Sequence, residues 1–167
     1  MINKIVYFAK VREDAIIPSK LEENGGYDIY ANFPQDNLVI EPHTSALVPT
    51  GIASAFSSDY VMLLEERGST GTKNMKRSAG VIDSGFRNEW FAMLYNGNDA
   101  PIVITKETNP STLEALADDY IVYPYGKAIC QALLLEVPKV NVVEKTYSEL
   151  LAIPSIRGLG SLGSSGK

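Results

Sequence analysis

One cysteine and one histidine are all that this 167-residue chain offers of the two side chains most used for soft metal sites and thiol chemistry. Cys130 has no partner for an internal disulfide, so the fold is expected not to depend on an oxidising compartment. His43 lies in Glu-Pro-His-Thr, a turn-like tetrapeptide, and reads as a surface residue. Such scarcity excludes a His/Cys metal cluster and leaves no Ser–His or Cys–His couple that looks placed. Acid–base chemistry must then come from carboxylates, tyrosines or lysines. A basic excess is also missing: 15 Lys and Arg stand against 20 Asp and Glu, for a net charge of −5. That argues against a surface that coats nucleic acid, though a few cations gathered in one site can still hold a small anion. The longest uncharged apolar stretch, Ala128 to Leu135, is far too short to span a bilayer. The N-terminus has only a short apolar run without a small-residue cleavage site, so no signal peptide is expected. The expectation is a soluble cytoplasmic domain with no membrane partner.

What is present is a series of short apolar or alternating runs separated by Gly, Pro, Asn and Asp. Ile5–Phe8, Tyr27–Ala31, Leu38–Ile40, Ser45–Val48, Gly51–Phe56 and Tyr60–Leu64 read as strands. So do Ile102–Ile104, Tyr120–Tyr123, Ala128–Val137 and Val140–Val143. Many short strands in a chain of this length predict one all-β sandwich or barrel. Two stretches look helical, each opened by a capping box: Ser111-Thr112-Leu113-Glu114, ending near Asp118, and Thr146-Tyr147-Ser148-Glu149, stopped by Pro154. Both are too short to organise the fold.

The stretch from Ala79 to Asn96 carries the most chemistry. An apolar run through Val81 and Ile82 meets a carboxylate, Asp83, followed by Ser84 and Gly85; a second apolar run returns from Trp90 to Leu94. The pattern reads as a β-hairpin with an acid at its lip, where partial desolvation can tune it for proton transfer. In isolation, Asp-Ser-Gly is equally a plain turn. Two Gly/Ser segments, each begun by an arginine, add candidate anion cradles. Arg67-Gly68-Ser69-Thr70-Gly71-Thr72-Lys73 lacks the spacing of a Walker loop and is otherwise a solvated loop. Arg157 to Lys167 reads as a phosphate-wrapping arm, a flexible tail or a cloning linker.

Five segments in order resemble the trimeric dUTPases. They are Gly26-Tyr27-Asp28-Ile29-Tyr30-Ala31; Arg67-Gly68-Ser69, preceded by Leu47-Val48-Pro49-Thr50-Gly51; Gly80-Val81-Ile82-Asp83-Ser84-Gly85-Phe86-Arg87; Gly126-Lys127-Ala128-Ile129-Cys130-Gln131; and the tail from Arg157. The resemblance spans roughly residues 25–167. It implies a distorted jelly-roll or barrel-like all-β fold with one or two very short helices. Residues 1–156 would form a single β domain, and 157–167 an arm completing a neighbouring subunit's site in a homotrimer. It further implies hydrolysis of dUTP to dUMP and pyrophosphate by water attack at the α-phosphorus, assisted by Mg²⁺ held by the triphosphate and water without direct protein ligands. Asp83 inherits the general-base role. Substrate binding falls to Arg67, Gly68, Ser69, Ser78, Gly80, Val81, Ile82, Phe86, Phe91, Gln131 and Arg157, with Leu162, Gly163, Ser164 and Ser165 of the arm. Asp28 supports the phosphate and Mg²⁺ region, and the Phe86 ring packs on deoxyribose where a 2′-hydroxyl would not fit.

Departures from the pattern are specific. Gly68 stands where the family usually has Ser, keeping the amide and losing a hydroxyl. Lys127-Ala128 replaces Asp-Arg, and Leu162 replaces the Phe that caps the base. The segment from Gly97 to Pro124 is longer than the family needs and could form an extra arm on the trimer surface. Two alternatives remain: a dCTP deaminase-like enzyme, for which no base-pocket Glu is found in the third segment, and a regulatory member binding a protein partner.

Overall fold

The computed structural model describes residues 5–160. The chain divides into two compact units, one ending at Val137 and the other beginning at Pro138. In the first, the strands are β1 (Val6–Lys10), β2 (Gly26–Ile29), β3 (Asn37–Ile40), β4 (Ser45–Pro49), β5 (Ile52–Phe56) and β6 (Tyr60–Glu65). They continue with β7 (Met75–Ala79), β8 (Val81–Ile82), β9 (Phe91–Asn96), β10 (Ile102–Thr105), β11 (Ile121–Pro124) and β12 (Cys130–Glu136). Helices α1 (Gly68–Gly71) and α2 (Pro110–Asp119) interrupt the series. The strands make four small sheets, in the orders β1-β5, β11-β10-β3, β2-β12-β6-β8 and β4-β9-β7, with no closed barrel among the described residues.

Alternation sets which side chains turn inward. In β5, Ile52, Ser54 and Phe56 are buried while Ala53 and Ala55 face outward; in β9, Ala92, Leu94 and Asn96 take the inner face. β10 is buried along its whole length because it lies between β3 and β11. The core closes around Trp90, whose ring meets Phe8 edge-on at 5.5 Å and 70°. The buried amide of Asn96 is satisfied by donating to the carbonyls of Ile40 (3.0 Å) and Ala100 (2.9 Å). That fastens the end of β9 to β3 and removes the cost of burying a polar group.

The long segment after Gly97 belongs to the body of the first unit. β10 and β11 pair in parallel, Ile102 opposite Ile121, so the chain must cross over between them, and α2 makes that crossing. No residue of α2 is buried. Its cap is Asn109, whose side chain accepts from the amides of Ser111 and Thr112, with Pro110 at the first turn. Ser111 therefore falls inside a ten-residue helix instead of capping it, because proline at the first helical position needs no amide partner and carries a helix-ready φ.

Among the described residues, three helices stand where the sequence pattern predicts one or two. The unforeseen one, α1, is a single turn fixed by buried Thr70, whose hydroxyl donates to the Arg67 carbonyl (2.9 Å) and accepts from the Arg67 amide (3.0 Å). The expected hairpin between residues 79 and 96 takes a different form. β8 pairs with β6, Ile82 opposite Met62, whereas β9 pairs with β4 and β7. The two apolar runs therefore lie in different sheets, and the chain changes sheet between β7 and β8 at Gly80. A Cβ there would sit 2.7 Å from the Leu64 carbonyl oxygen, so only glycine lets the chain pass so close to β6.

The second unit holds α3 (Tyr147–Leu151), opened by the Thr146/Glu149 capping box as its sequence predicts. Val140, Val142 and Val143 are exposed and form no strand. Among the described residues, no helix is long and apolar enough to cross a membrane.

Candidate active site

Three antiparallel strands bring the first, second and fourth segments side by side. Gln131 of β12 lies opposite Asp28 of β2 and, on its other edge, opposite Glu65 of β6. The chain leaves β6 through Glu66 and Arg67 into α1. The result is a cleft of about 580 Å³ lined by Glu23 to Gly26, Asp28, Arg67 to Ser69, Lys127 and Gln131.

Each wall has a local cause. Arg67 grips Asp28 with two nitrogens, Nε to Oδ1 at 2.9 Å and Nη2 to Oδ2 at 3.3 Å, and its Nη1 donates to the Ser69 hydroxyl at 3.4 Å. Such a two-point guanidinium–carboxylate pair fixes orientation as well as charge. Gly68 and Ser69 occupy the first positions of α1, where helical amides have no partner within the helix. Gln131 Nε2 donates to the Glu66 carbonyl at 2.7 Å, which leaves its second N–H for a ligand. Gly26 makes this possible, since a Cβ there would collide with the Gln131 side-chain oxygen. The wall behind is rigid: Tyr123, fully buried, donates its hydroxyl to the Ala128 carbonyl at 2.6 Å. Burial pushes the Tyr123 phenol above its ordinary range and the Cys130 thiol up to about 12. The Glu66 carboxyl is held below its usual value, chiefly because it accepts the Arg77 amide at 2.8 Å.

The third segment does not share this cleft. Ile82 pairs with Met62, so Asp83 lies four residues along β6 from Glu65, about 13 Å at the rise of a strand. Asp83 is exposed, whereas an acid at a hairpin lip is expected to be part-desolvated; it directly follows β8, the edge strand of its sheet. The loop that carries it is nonetheless well held. The Phe86 amide donates to the Asp83 carbonyl at 3.0 Å, and Arg87 Nη1 donates to the carbonyls of Ser84, Phe86 and Ser54 at 2.5, 3.2 and 3.3 Å. Val81, Phe86 and Phe91 present exposed apolar surface, while the Ile82 side chain is buried and leaves only its backbone to offer. Ser78 stands at the register shift of β7 and its hydroxyl meets that of Ser45 at 2.9 Å.

In the second unit, Arg157 Nε donates to the Gly160 carbonyl at 3.1 Å across a turn in which Gly158 takes φ +54°. Leu162, Gly163, Ser164 and Ser165 lie outside the described residues. Lys127, Glu23 and Gly26 line the cleft without having been singled out as site residues. The adjacent glycines 25 and 26 were the available signal for a close backbone approach.

Among the described residues no group of three or more His, Cys, Asp or Glu is placed to hold a metal ion. The cleft offers backbone amides, the Gln131 side-chain amide, the Arg67–Asp28 pair, and the Lys127 and Glu23 side chains. They suit an anion, and a hard cation that such an anion brings with its own oxygens and water.

A dUTPase family model matches residues 12–109. A protein from Leptospira interrogans named deoxyuridine 5′-triphosphate nucleotidohydrolase is 33% identical over 103 residues, covering 59% of this chain and 70% of the relative. The protein of that name from Nautilia profundicola is 26% identical over 162 residues, covering 95% of this chain and 96% of its own. Among solved structures, a Staphylococcus bacteriophage 80alpha dUTPase with dUpNHpp superposes with TM-score 0.69 at 22% identity, over 98% of this chain and 99% of the other. A dUTPase of the Staphylococcus aureus phage phi11, described with a structural Mg(II) ion, superposes with TM-score 0.63 at 18% identity, over 85% and 98%. At these identities the structural likeness speaks to the fold, which these phage enzymes share.

Proposed function

This chain belongs to the dUTPase family, and from that premise we propose that it hydrolyses dUTP to dUMP and pyrophosphate in the cleft between β2, β12 and α1. The observation that carries the reading is the convergence of three segments distant in sequence, around Asp28, Arg67 and Gln131, on one anion-suited cleft.

Phosphoryl chemistry needs mainly positioning and neutralisation of charge. Arg67 and the amides of Gly68 and Ser69 bind phosphate oxygens, and the second N–H of Gln131 reaches the α-phosphate. Mg²⁺ bound with the substrate would supply charge neutralisation on the phosphates, with Asp28 facing its water shell. Asp83 is the general base that takes a proton from the attacking water. Neutral-pH carboxylates accept protons weakly in water, so Asp83 must work in a site that strips part of its solvent.

Because Asp83 lies about 13 Å along the sheet from the cleft, the reading requires the two to come from different copies. A homotrimer with one such junction at each cleft meets that need, and the exposed Val81, Phe86 and Phe91 supply apolar area for the contact. Arg157 and the arm beyond it complete the site from a further copy. Pyrophosphate release from dUTP, dTTP, dCTP and UTP, measured side by side with and without Mg²⁺, tests the proposal. Rapid release from dUTP alone, dependent on Mg²⁺, is the expected result; equal release from all four, or ammonia from dCTP, overturns it.

A further inference from the structure

We infer that Lys127 is the counter-charge the cleft keeps for the outer phosphates of its ligand, and that it makes the cleft favour a triphosphate over the monophosphate product. The inference rests on the dUTPase reading above and assigns a residue which that reading does not use.

Among the described residues, four charged side chains line the cleft: Glu23, Asp28, Arg67 and Lys127. Asp28 and Arg67 neutralise each other through their two-point contact. Among the described residues Lys127 has no ion pair, so it and Glu23 set the remaining balance. Without the Lys127 charge the cleft would carry a net negative charge and repel a polyanion. The lysine is also held in place. Its amide donates to the Pro124 carbonyl at 3.0 Å, closing a turn over Tyr125 and Gly126, and its ammonium lies 5.7 Å from the centroid of the Tyr123 ring. That ring is fixed by its bond to the Ala128 carbonyl, so the lysine has a fixed neighbour at its backbone and another at its ammonium, while the residue as a whole stays exposed at the cleft. A solvated cation at the rim meets the part of the ligand that extends furthest from the nucleoside. Its attraction grows with the charge carried there, which is large for a triphosphate and absent for a monophosphate.

The test uses the full-length protein and its Lys127→Gln and Lys127→Arg variants. Binding of inorganic tripolyphosphate and of dUMP is followed by calorimetry, and dUTP turnover by pyrophosphate release. Lys127→Gln is expected to weaken tripolyphosphate binding and raise the KM for dUTP by about tenfold, the loss of one charge-assisted contact. The dUMP affinity should barely move, kcat should change much less than KM, and Lys127→Arg should restore most of the loss. Equal affinities in wild type and Lys127→Gln, or an equal loss for dUMP and tripolyphosphate, overturn the assignment. If wild type turns over dUTP and Lys127→Gln matches it, only the lysine assignment falls. If wild type hydrolyses no dUTP but loses tripolyphosphate on Lys127→Gln, the dUTPase reading falls and the lysine assignment stands.

Discussion

Replacing Gly26 by alanine should disable the cleft through a residue that has no side chain to offer a ligand. The new Cβ would collide with the Gln131 side-chain oxygen and lie 3.0 Å from the Gln131 Cβ and Cδ. The backbones of β2 and β12 are locked by their ladder, so the glutamine must swing away and surrender its bond to the Glu66 carbonyl. Losing one part-buried hydrogen bond, with some overpacking at the Gln131 Cβ, costs about 1–2 kcal/mol of stability. For a domain of this size that lowers Tm by about 3–6 °C. The effect on turnover should be larger in proportion, because the amide proposed to bind the α-phosphate leaves the cleft. A double-mutant cycle isolates the cause. Gly26→Ala should lower kcat/KM about as far as Gln131→Ala does, and should add little in the Gln131→Ala background. If Gly26→Ala costs as much activity without Gln131 as with it, the glycine does not act through the glutamine and the reasoning fails.

Three further outcomes follow from the same geometry. Glu66 has a folded pKa below its unfolded value, so its contribution to stability is present above the ordinary carboxylate pKa and disappears as pH falls through the lowered one. Acid unfolding followed by circular dichroism should show a shallower loss of stability below about pH 4.5 in Glu66→Gln than in wild type. Cys130, buried and with its thiol pushed up to about 12, should resist a thiol reagent at pH 8 and react fully in guanidinium; labelling of the native protein at the unfolded rate would contradict the burial. Truncation after Ile156 should abolish dUTP turnover while light scattering still reports the wild-type assembly, and an active truncated protein would remove the arm from the mechanism.

The strands were legible because alternation is a local property: Ile52–Phe56 and Phe91–Asn96 announce their inner faces residue by residue. The Thr146/Glu149 capping box was legible for the same reason. Pairing was not, since it depends on partners far away in the chain. Val81 and Ile82 look like one side of a hairpin until β6, twenty residues earlier, takes them as its edge. Val140–Val143 has the composition of a strand, but among the described residues no strand pairs with it. The parallel pairing of β10 and β11 turns an unassigned long segment into a crossover, which no periodicity within the segment reveals. The site was divided in the same way. Asp28, Arg67 and Gln131 were identifiable as motif residues, and their convergence on one cleft is a consequence of the β2-β12-β6 register. Glu23 went unremarked and Lys127 was noted only as a departure in the fourth segment, because isolated charges in loops carry no signal of a site until a fold gathers them.

The central claim is that a cleft on one copy works with Asp83 of another, and subunit mixing tests it directly. Asp83→Asn keeps an intact cleft, while a second variant, Arg67→Ala, keeps an intact Asp83; each alone should be inactive on dUTP. Unfolded together in equal amounts and refolded, they should recover about a quarter of the wild-type rate, the chance that an intact cleft meets an intact carboxylate across a junction between copies. A mixture that stays as inactive as its components would place cleft and base on the same chain and contradict the account.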